Sequence, residues 1–495
     1  MEKKICILKF GGTSVGSGER IRRVAAIVAD TVEQSENVFP VVIVSAMAGV
    51  TDQLMRIAQY ACSHKKKEYK EELVHLRQKH VAAVAEITES EEEHSQLLHA
   101  LEQALAGLAR DVETLCEAAE AEQEVHLHTA AVAAWGERLS VLLVAAATRT
   151  VGCQAEAVSR EIIITRHPAH DPAQPFGVVV GADPLAEETR ANAHALIHPL
   201  VEQEIVPVAA GFIGRTITGF VITLGRNGSD YSATTIGAAL DCTEVSIYTD
   251  VDGVLTADPR LVANTRLLRH LSYAEAARLS WFGAKVLHPR TLIPIAPRNI
   301  PVRVRNTFRP HVRGTVIGPV KQSGAGAISI RRHLALITVE STDLFGAPEN
   351  AGQVFALAAR AGAAPVAICS SSGHHLSFLV DEQAADSVVA LLHRDMDKDA
   401  WQVLCRPGLA ACACIGSGFT ADPMSPARAA TALASERIPV ITQGSSELGI
   451  SLIVKDKDSE RALRCLHRDL IAPVIPLLRH TSHTPEKTLE VVKKA

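Results

Sequence analysis

The sequence lacks an excess of charge of either sign, and this excludes several broad classes of function. Its 495 residues include 50 basic and 55 acidic side chains, which leaves a net charge of −5 when histidine is neutral. Such a balance creates no general field for nucleic acid or an anionic membrane, so any anion site must be local. The flanks of a signal peptide and an apolar run of the ~18 residues that span a bilayer are also missing. We therefore expect neither a nucleic-acid partner nor a membrane.

Paired cysteine spacing and the usual patterns of metal ligands are missing as well. The ten cysteines are scattered, which is typical of reduced thiols and predicts a cytoplasmic protein. Cys412 and Cys414 would share one face of a strand, which is not enough for a metal site. The aspartates of residues 248–260 resemble the start of a calcium loop, but Gly253 is misplaced and the closing glutamate is absent. We expect no metal site built from protein side chains alone.

What the chain does have is an alternation of strand and helix patterns over residues 1–318. Apolar runs such as KICILKF and FPVVIVSAM are separated by amphipathic segments such as SGERIRRVAAIVADTV. This alternation predicts an α/β fold with a mainly parallel sheet between helices. Residues 64–134 are rich in Glu, Lys, Ala and Leu and nearly free of Gly and Pro, so they predict an inserted helical hairpin.

The remaining third of the chain predicts a separate, duplicated unit. Residues 319–328 are rich in Gly and Ser and predict a linker. Residues 329–402 and 403–475 each show a strand, a loop that opens a helix, and a Ser-rich hairpin. We interpret them as two copies of a small α+β module of roughly seventy residues. Residues 476–495 then form a C-terminal tail.

The stretch ILKFGGTSVG, residues 7–16, predicts a phosphate site although it lacks the order of a Walker loop. A Walker loop has its lysine after the glycines, whereas Lys9 precedes Gly11 and Gly12. Glycines let the backbone approach an anion, a helix starting near Ser17 would direct free N–H groups at it, and Lys9 adds a positive charge. Taken alone, such a turn is more often an ordinary connection between a strand and a helix.

Two later stretches carry residues of related chemistry. TLGRNGSDYSA, residues 223–233, contains Arg226, whose planar fork matches a carboxylate, and Asp230, which could steer a lysine or a metal ion. The same loop could equally be a capped turn. YTDVDGVLTADPR, residues 248–260, follows a strand, and open α/β sheets bind nucleotides at the carboxyl ends of their strands. Lys285 in GAKVLHPR and Glu137 in WGERL are further isolated charges.

Taken in order, six motifs resemble those of aspartate kinases in the amino acid kinase superfamily. The motifs are KFGGTSVG, GERLS, GFIG with TLGRNGSDYSA, YTDVDGVLTADPR, GAKVLHPR, and NTFRP with GTVI. The two C-terminal modules are similar to ACT domains, most clearly at ITQGSSELGIS. GRNGSD and the helical insertion resemble the kinase half of aspartokinase–homoserine dehydrogenases, although a GxGxxG fingerprint is absent. The resemblance implies an amino acid kinase fold followed by two ferredoxin-like ACT modules.

The resemblance also implies a role for each residue that matches a motif. Lys9 would lie against the transferred phosphoryl group, and Asp230 would organise that lysine. The positions that hold ATP are Lys9, Gly11, Gly12, Ser14, Thr249, Asp250, Arg260 and Lys285. The positions that hold aspartate are Ser45, Thr51, Glu137, Phe212, Arg226 and Ser229. Leu255 departs from the aromatic residue that relatives often place near adenine.

The implied reaction brings together two anions, the β-carboxylate of L-aspartate and the γ-phosphate of ATP. A carboxylate with a pKa of ~3.9 is already ionised at neutral pH, so no general base is required. Catalysis then depends on positioning and on cations, which Lys9, Lys285 and a Mg²⁺ ion bridging the phosphates would supply. The product would be 4-phospho-L-aspartate, the first intermediate on the way to lysine, threonine and methionine.

Two other classes of function remain open from the residues alone. Other amino acid kinases act on glutamate, acetylglutamate, carbamate or a nucleotide, but Glu137 together with Arg226 favours a free α-amino acid. A catalytically silent amino acid sensor is the second alternative. The presence of Lys9, Asp230 and Lys285 disfavours it.

The two modules predict regulation by an amino acid and self-association. An effector such as lysine or threonine would bind at a helix start and a Ser-rich hairpin, at Asn350, Gly352, Gln443 and Ser445. A sheet with an open edge commonly pairs with a copy of itself, so we expect a homodimer or a dimer of dimers. The alternative is that the modules serve only to dimerise the chain.

Overall fold

An eight-stranded, mainly parallel sheet forms the centre of the N-terminal domain in the computed structural model. The structure describes residues 3–34, 37–121, 125–166, 182–225, 227–284, 287–319, 326–341, 349–372, 374–396 and 400–471. Arg226, Lys285 and the predicted tail lie outside these ranges. At Asn350 only the backbone is described.

The strands of this domain belong to two sheets. In chain order they are β1 (Lys4–Phe10), β2 (Val38–Val44), β3 (Ala155–Ala157), β4 (Ile164–Thr165), β5 (Val206–Ala210), β6 (Ile213–Thr216), β7 (Val221–Thr223), β8 (Val245–Thr249), β9 (His270–Ser272), β10 (Val302–Asn306) and β11 (Thr315–Gly318). The large sheet has the order β3-β5-β2-β1-β8-β10-β11-β9, and only the β10–β11 pair is antiparallel. Strands β4, β6 and β7 form the small sheet. The predicted fold class is confirmed.

Helices cover this sheet on both faces. They are α1 (Gly18–Glu33), α2 (Val50–Cys62), α3 (Lys66–Ile87), α4 (Glu91–Glu120), α5 (Val125–Ala133), α6 (Trp135–Thr150), α7 (Ala186–Glu202), α8 (Gly228–Ala239), α9 (Tyr273–Trp281) and α10 (Pro289–Leu292). Six successive residues of β2 are buried, which requires cover on both sides of the strand. Helix α4 starts with a capping box of Ser90 and Glu93 and buries Leu101, Leu108 and Leu115.

The segment Val125–Thr150 is long and apolar enough to cross a membrane, and the sequence analysis overlooked it. Polar residues such as His126, Glu137 and Arg138 interrupt its apolar run, but its 18-residue window still has a mean hydropathy of 1.5. In the structure, 78% of that window is buried inside the protein, where it forms α5 and α6. The apolar character of the segment therefore matches a place in the core of the domain.

The described residues of the C-terminal part form one six-stranded sheet with five helices. Its elements are β12 (Ala327–Ser341), α11 (Glu349–Arg360), β13 (Ala367–Ser372), β14 (His375–Asp381), α12 (Glu382–Asp395), β15 (Trp401–Ile415), α13 (Ser417–Ala421), α14 (Ser425–Ser435), β16 (Thr442–Ser446), β17 (Gly449–Lys455) and α15 (Ser459–Leu470). The strand order is β13-β14-β12-β15-β17-β16.

Two long strands of this sheet are each shared between two modules. The second half of β12 pairs with β14 and with the start of β15, whereas the first half of β12 pairs with the end of β15, which also pairs with β17. Accordingly, Ile328 packs in one hydrophobic core with Cys412 and Cys414, and Ile337 packs in another. The first predicted module is thus inserted into the second.

The boundaries expected from the sequence differ from this arrangement. Strand β12 already includes Ala327 and Ile328, which the sequence analysis assigned to the linker. The expected boundary between residues 402 and 403 lies within β15, which continues without a break from Trp401 to Ile415. The repeat pattern showed which segments form strands. It could not show that each long strand belongs to two modules, because strand pairing joins residues far apart in the chain.

Candidate active site

Five neighbouring parallel strands end at one edge of the large sheet, and many of the expected site residues follow those ends. The order of these strands is β5-β2-β1-β8-β10. The residues at or after the strand ends are Gly11, Gly12 and Ser14 for β1, Ser45 for β2, Phe212 for β5, Thr249 and Asp250 for β8, and Asn306 and Thr307 for β10. The chain proceeds outward from β1 to β2 on one side and returns to β8 on the other side. Open α/β sheets bind their ligands at such a reversal of strand order.

Lys9 and Asp230 form an ion pair at this edge. Lys9 is the second-last residue of β1 and is only 5% exposed, and Asp230 lies in the first turn of α8. A lysine buried to this extent needs a counter-charge, because its ammonium has lost most of its water. A Cβ atom at Gly11 would lie 3.6 Å from Nζ of Lys9, so the backbone passes close to the ammonium. The pair holds one positive charge in a defined position at the end of β1.

The glycine loop after β1 packs directly on the loop after β2. A Cβ atom at Gly12 would lie 2.9 Å from the carbonyl oxygen of Ala46, closer than real Cβ contacts. The Ala48 N–H donates a hydrogen bond of 3.1 Å to the Gly12 carbonyl, and the Gly11 N–H donates one of 3.2 Å to Tyr248 at the end of β8. Gly12 is therefore required for the close contact between these two loops.

Ser14 joins the glycine loop to residues that the sequence analysis did not select. Its hydroxyl lies 2.6 Å from the hydroxyl of Thr307, and both side chains are buried. The Thr307 N–H donates to the Thr249 carbonyl over 2.9 Å, and the Asn306 amide donates to the Asp252 carboxylate over 2.8 Å. The loops after β1, β8 and β10 thus form one hydrogen-bonded unit. The sequence NTF at the end of β10 was the signal that could have identified Asn306 and Thr307, because β10 ends at the same edge of the sheet.

Glu137 places a buried carboxyl group beside the loop after β2. It lies in the first turn of α6 with 1% exposure, and one of its oxygens accepts the Ala46 N–H over 3.0 Å. The other oxygen, Oε2, has no hydrogen-bond partner among the residues that the structure describes. Burial raises the pKa of this carboxyl to about 8, although the Ala46 N–H and the charge of Lys9 oppose the rise. The free carboxyl oxygen is chemically suited to receive a cationic group.

The turn after β5 packs against the start of α8. Phe212 has a φ of 64°, which is uncommon for a bulky residue. A Cβ atom at Gly211 would lie 2.8 Å from Cβ of Ser229, and one at Gly228 would lie 2.8 Å from Cδ2 of Phe212. Both glycines therefore permit contacts that any larger residue would prevent. As a result, Phe212 and Ser229 form one wall next to Asp230.

A cavity of about 360 Å³ opens beside Asp230. Its lining residues are Asn227, Asp230, Ser280, Gly283, Ala284, Leu287, His288 and Pro289. Most of them come from the end of α9 and from the GAKVLHPR motif. Asn227 and His288 were not selected from the sequence, although both stand in motifs that were quoted there. The cavity gives a ligand access to the Lys9–Asp230 pair from the side of the GAKVLHPR segment.

Several of the expected residues have no described contact with this site. Arg226 and Lys285 lie outside the described residues. Arg260 has a side chain that is 70% exposed and held by Asp258, with an Nε–oxygen distance of 3.0 Å. Thr51 lies in the first turn of α2, and no described hydrogen bond joins its side chain to the site.

The expected effector residues lie apart from this site, in the C-terminal sheet. Gln443 and Ser445 are exposed on the edge strand β16, and Gly352 lies in the first turn of α11 with open space where a Cβ would stand. Strands β13 and β16 approach each other, since a Cβ atom at Gly444 would lie 3.4 Å from the Ile368 carbonyl oxygen. The edges of the two modules are thus neighbours.

Within the described part of the chain, no group of three or more His, Cys, Asp or Glu residues is placed to hold a metal ion. Cys412 and Cys414 do share one module core, where burial raises the pKa of the Cys414 thiol to about 12. Thiols of this kind are inert packing residues.

Comparisons with known proteins match this chain along almost its entire length. The model of the amino acid kinase family matches residues 4–306, and a model of the ACT domain matches residues 413–470. Bifunctional aspartokinase/homoserine dehydrogenase 2 of Arabidopsis thaliana is 32% identical over 93% of this chain and 50% of its own length. The chain thus spans about half the length of such bifunctional relatives. Aspartokinase 1 of the same plant is 30% identical over 98% of this chain and 84% of its own length.

Solved structures agree with these sequence matches. The structure of E. coli aspartokinase III with aspartate and ADP has a TM-score of 0.75 and 28% identity, and it covers 94% of this chain and 100% of that chain. The structure of the same E. coli protein with lysine and aspartate has a TM-score of 0.70. Family model, relatives and fold agree: the chain belongs to the amino acid kinase family and, within it, to the aspartokinases.

Proposed function

We propose that this protein transfers the γ-phosphoryl group of ATP to the β-carboxylate of L-aspartate and so makes 4-phospho-L-aspartate. The observation that carries the proposal is the buried Lys9–Asp230 pair where the loops of five parallel strands meet. A related E. coli structure binds aspartate and ADP, which supports the choice of substrates. Its relatives are named aspartokinases, which supports the same reaction.

The glycine loop and the loop after β8 are our proposed site for ATP. The N–H groups around Gly11 and Gly12 and the hydroxyl of Ser14 would surround the phosphates. Thr249 and Asp250 would hold the nucleoside part, and Arg260 and Lys285 would contact the phosphates. Mg²⁺ would enter with ATP, since it usually keeps several waters and needs only one or two carboxylates besides phosphate oxygens. Bound there, it would neutralise charge on the phosphates.

Aspartate would lie between the loop after β2 and the start of α8. The free oxygen of Glu137 would receive its α-ammonium group, and the fork of Arg226 would receive its α-carboxylate. Ser45, Thr51, Phe212 and Ser229 complete the proposed pocket. In this orientation the β-carboxylate faces the ammonium of Lys9.

The protein's own contribution to the reaction is positioning and charge. The β-carboxylate is ionised at neutral pH and attacks the γ-phosphorus in line with the departing oxygen of ADP. Negative charge spreads over the transferred oxygens, and Lys9 is held where it can compensate for that charge. Asp230 acts on Lys9 rather than on the substrate, because the ion pair holds the ammonium in place.

The substrate assignment is tested by trapping the product. With L-aspartate and MgATP, hydroxylamine should convert the acyl phosphate to a hydroxamate that iron(III) detects. Glutamate should give at most a trace of product, because its longer side chain would displace either the α-ammonium from Glu137 or the carboxylate from Lys9. Equal rates with glutamate, or ADP release without a hydroxamate, would contradict the assignment.

A second prediction concerns the role of Lys9. Lys9→Ala should lower kcat by roughly two or more decades, because the lost charge acts mainly in the transition state. Lys4→Ala removes a lysine from the exposed end of the same strand and should leave kcat close to the wild-type value. Steady-state kinetics and a melting curve for each variant separate catalysis from folding. A folded Lys9→Ala protein with nearly normal kcat would disprove the assigned role.

A third prediction follows from the pKa of Glu137, which burial raises to about 8 in the free protein. Below that pH the carboxyl is protonated, so aspartate must displace its proton to pair with it. The KM for aspartate should therefore fall as the pH rises from 6 to 8, by at most about tenfold per pH unit. Glu137→Gln should have a high KM without this pH dependence, whereas exposed Glu33→Gln should behave like the wild type.

The free protein gives a check on Glu137 that does not depend on activity. Its folded-state pKa lies above the ordinary value of 4.5, so the stability gained from its protonation is complete below about pH 4.5 and is lost as the pH rises through about 8. The melting temperature of the wild type should therefore fall more between pH 5 and 9 than that of Glu137→Gln. If the melting temperatures of the two proteins fall by the same amount between pH 5 and 9, the raised pKa is contradicted.

We further propose that the C-terminal sheet binds an amino acid effector such as lysine or threonine, and that the protein is a homodimer or a dimer of dimers. The match to an ACT domain and a related E. coli structure that contains lysine support the effector. Asn350 and Gly352 at the start of α11 and Gln443 and Ser445 on β16 are the proposed contacts. The cytoplasmic location also stays a prediction.

Calorimetry and kinase assays with each effector test this regulation on the full chain. Lysine or threonine should bind and inhibit, and Gln443→Ala should weaken binding while Gln402→Ala, on strand β15 of the same sheet, should not. Inhibition requires different affinities for two states, by a coupling of about 1–3 kcal/mol. If lysine, threonine and methionine neither bind nor inhibit, alone or in pairs, only a role in assembly is left. Sedimentation of the full chain tests that assembly.

A further inference from the structure

A second cavity lies between helix α9 of the N-terminal domain and two edge strands of the C-terminal sheet. Its volume is about 520 Å³. It is lined by Ala274, Ala277, Arg278, Trp281, Phe282, Pro289, Val366, Ala367, Ile368, Gly444, Ser445, Leu448 and Ser451. Of these residues only Ser445 was proposed above as a contact. We call this space the interdomain cavity.

The walls of the interdomain cavity are held in place by contacts between the two parts of the chain. The Trp281 indole N–H donates a hydrogen bond of 2.9 Å to the Val366 carbonyl. The Ser329 hydroxyl donates one of 2.7 Å to the Phe282 carbonyl. A Cβ atom at Gly283 would lie 2.5 Å from the Ile330 carbonyl oxygen, so α9 ends in direct contact with β12. These contacts fix the shape of the cavity before any ligand enters.

Two polar groups in this otherwise mostly apolar cavity have no hydrogen-bond partner within the described part of the chain. One is Nε of Arg278, and the other is the hydroxyl of Ser451, a residue that is only 3% exposed. Burial lowers the pKa of the Arg278 guanidinium, yet an arginine stays charged at neutral pH. Its described neighbour is the ring of Phe282, whose centroid lies 5.7 Å from the guanidinium carbon.

The positive charge of Arg278 in this cavity favours the binding of an anion. Burying the guanidinium Nε without a hydrogen-bond partner is unfavourable, and a carboxylate matches the planar fork of an arginine. Among the described lining residues, Arg278 is the one cationic side chain, which disfavours phosphate and dicarboxylates such as aspartate. The described lining also has no acidic side chain, which disfavours a ligand with an ammonium group.

We propose that the interdomain cavity binds a small aliphatic monocarboxylate. The carboxylate pairs with Arg278 and accepts a hydrogen bond from Ser451, and the aliphatic part lies against Trp281, Ile368 and Leu448. The proposal uses none of the residues assigned to ATP or aspartate. It therefore stands or fails separately from the proposed kinase activity.

Titration calorimetry of the full chain with 4-methylpentanoate tests the proposal. The matched neutral ligand is 4-methylpentanamide, which has the same shape and no charge. The carboxylate should bind with one site per chain, and the amide should bind at least tenfold more weakly. No binding of the carboxylate at millimolar concentration, or equal binding of the two ligands, would overturn the proposal.

Three variants locate the site. Arg278→Gln should weaken binding of the carboxylate tenfold or more. Arg360→Gln, which changes an exposed side chain on helix α11, should leave the affinity unchanged. Ala277→Phe keeps the arginine but fills the cavity, and it should also abolish binding. Melting curves establish that each variant is folded. Wild-type affinity in folded Ala277→Phe would place the ligand elsewhere and contradict the proposal, as would wild-type affinity in folded Arg278→Gln.

Discussion

The ion pair of Lys9 and Asp230 joins two separately built parts of the N-terminal domain. Lys9 comes from the central strand of the large sheet, whereas Asp230 comes from a helix that follows the small sheet. A lysine that is 5% exposed depends on this partner, because an unpaired ammonium in that position would be strongly destabilising. The glycines of the surrounding loops serve the same end, since they let backbone segments meet around the pair. The proposed chemistry uses the positive charge that this arrangement preserves.

Glu137 shows the same principle with the opposite sign of charge. Its carboxyl has no counter-ion as close as the one that Lys9 has, and burial raises its pKa to about 8. A group in this state is ready to become ionised when a cation arrives, because the arriving charge replaces the missing solvent. In the free protein the environment of Glu137 is unfavourable for the ionised carboxyl, and the substrate's ammonium group would stabilise that form. In the proposed site, recognition of the amino acid and the deprotonation of Glu137 would then be the same event.

Helix α9 links the proposed active site to the C-terminal sheet. Ser280, Gly283 and Ala284 line the cavity beside Asp230, while Trp281 and Phe282 line the interdomain cavity. The end of this helix is fixed by the backbone of β12, a strand shared by both C-terminal modules. A shift of that strand therefore reaches the active-site wall through direct contacts. This geometry would give a physical route between the proposed effector sheet and the proposed active site.

By itself, the sequence determined the local elements and the chemistry at their ends. Apolar runs and amphipathic patterns are local features, so KICILKF indicated β1, and SGERIRRVAAIVADTV indicated α1. The place of Lys9 at a strand end followed from the same pattern. The family motifs added which residues to look for, but they did not show how those residues meet.

Only the tertiary structure decided which of these ends are neighbours. The contact of Ser14 with Thr307 joins residues 293 positions apart, and no periodic pattern reports such a pairing. The sharing of β12 and β15 between two modules has the same cause, since the register of paired strands is set by distant partners. Burial is likewise a property of the folded chain. Burial raises the pKa of Glu137 and leaves Nε of Arg278 without a described hydrogen-bond partner. The distance of each group from water depends on the packing of several elements at once.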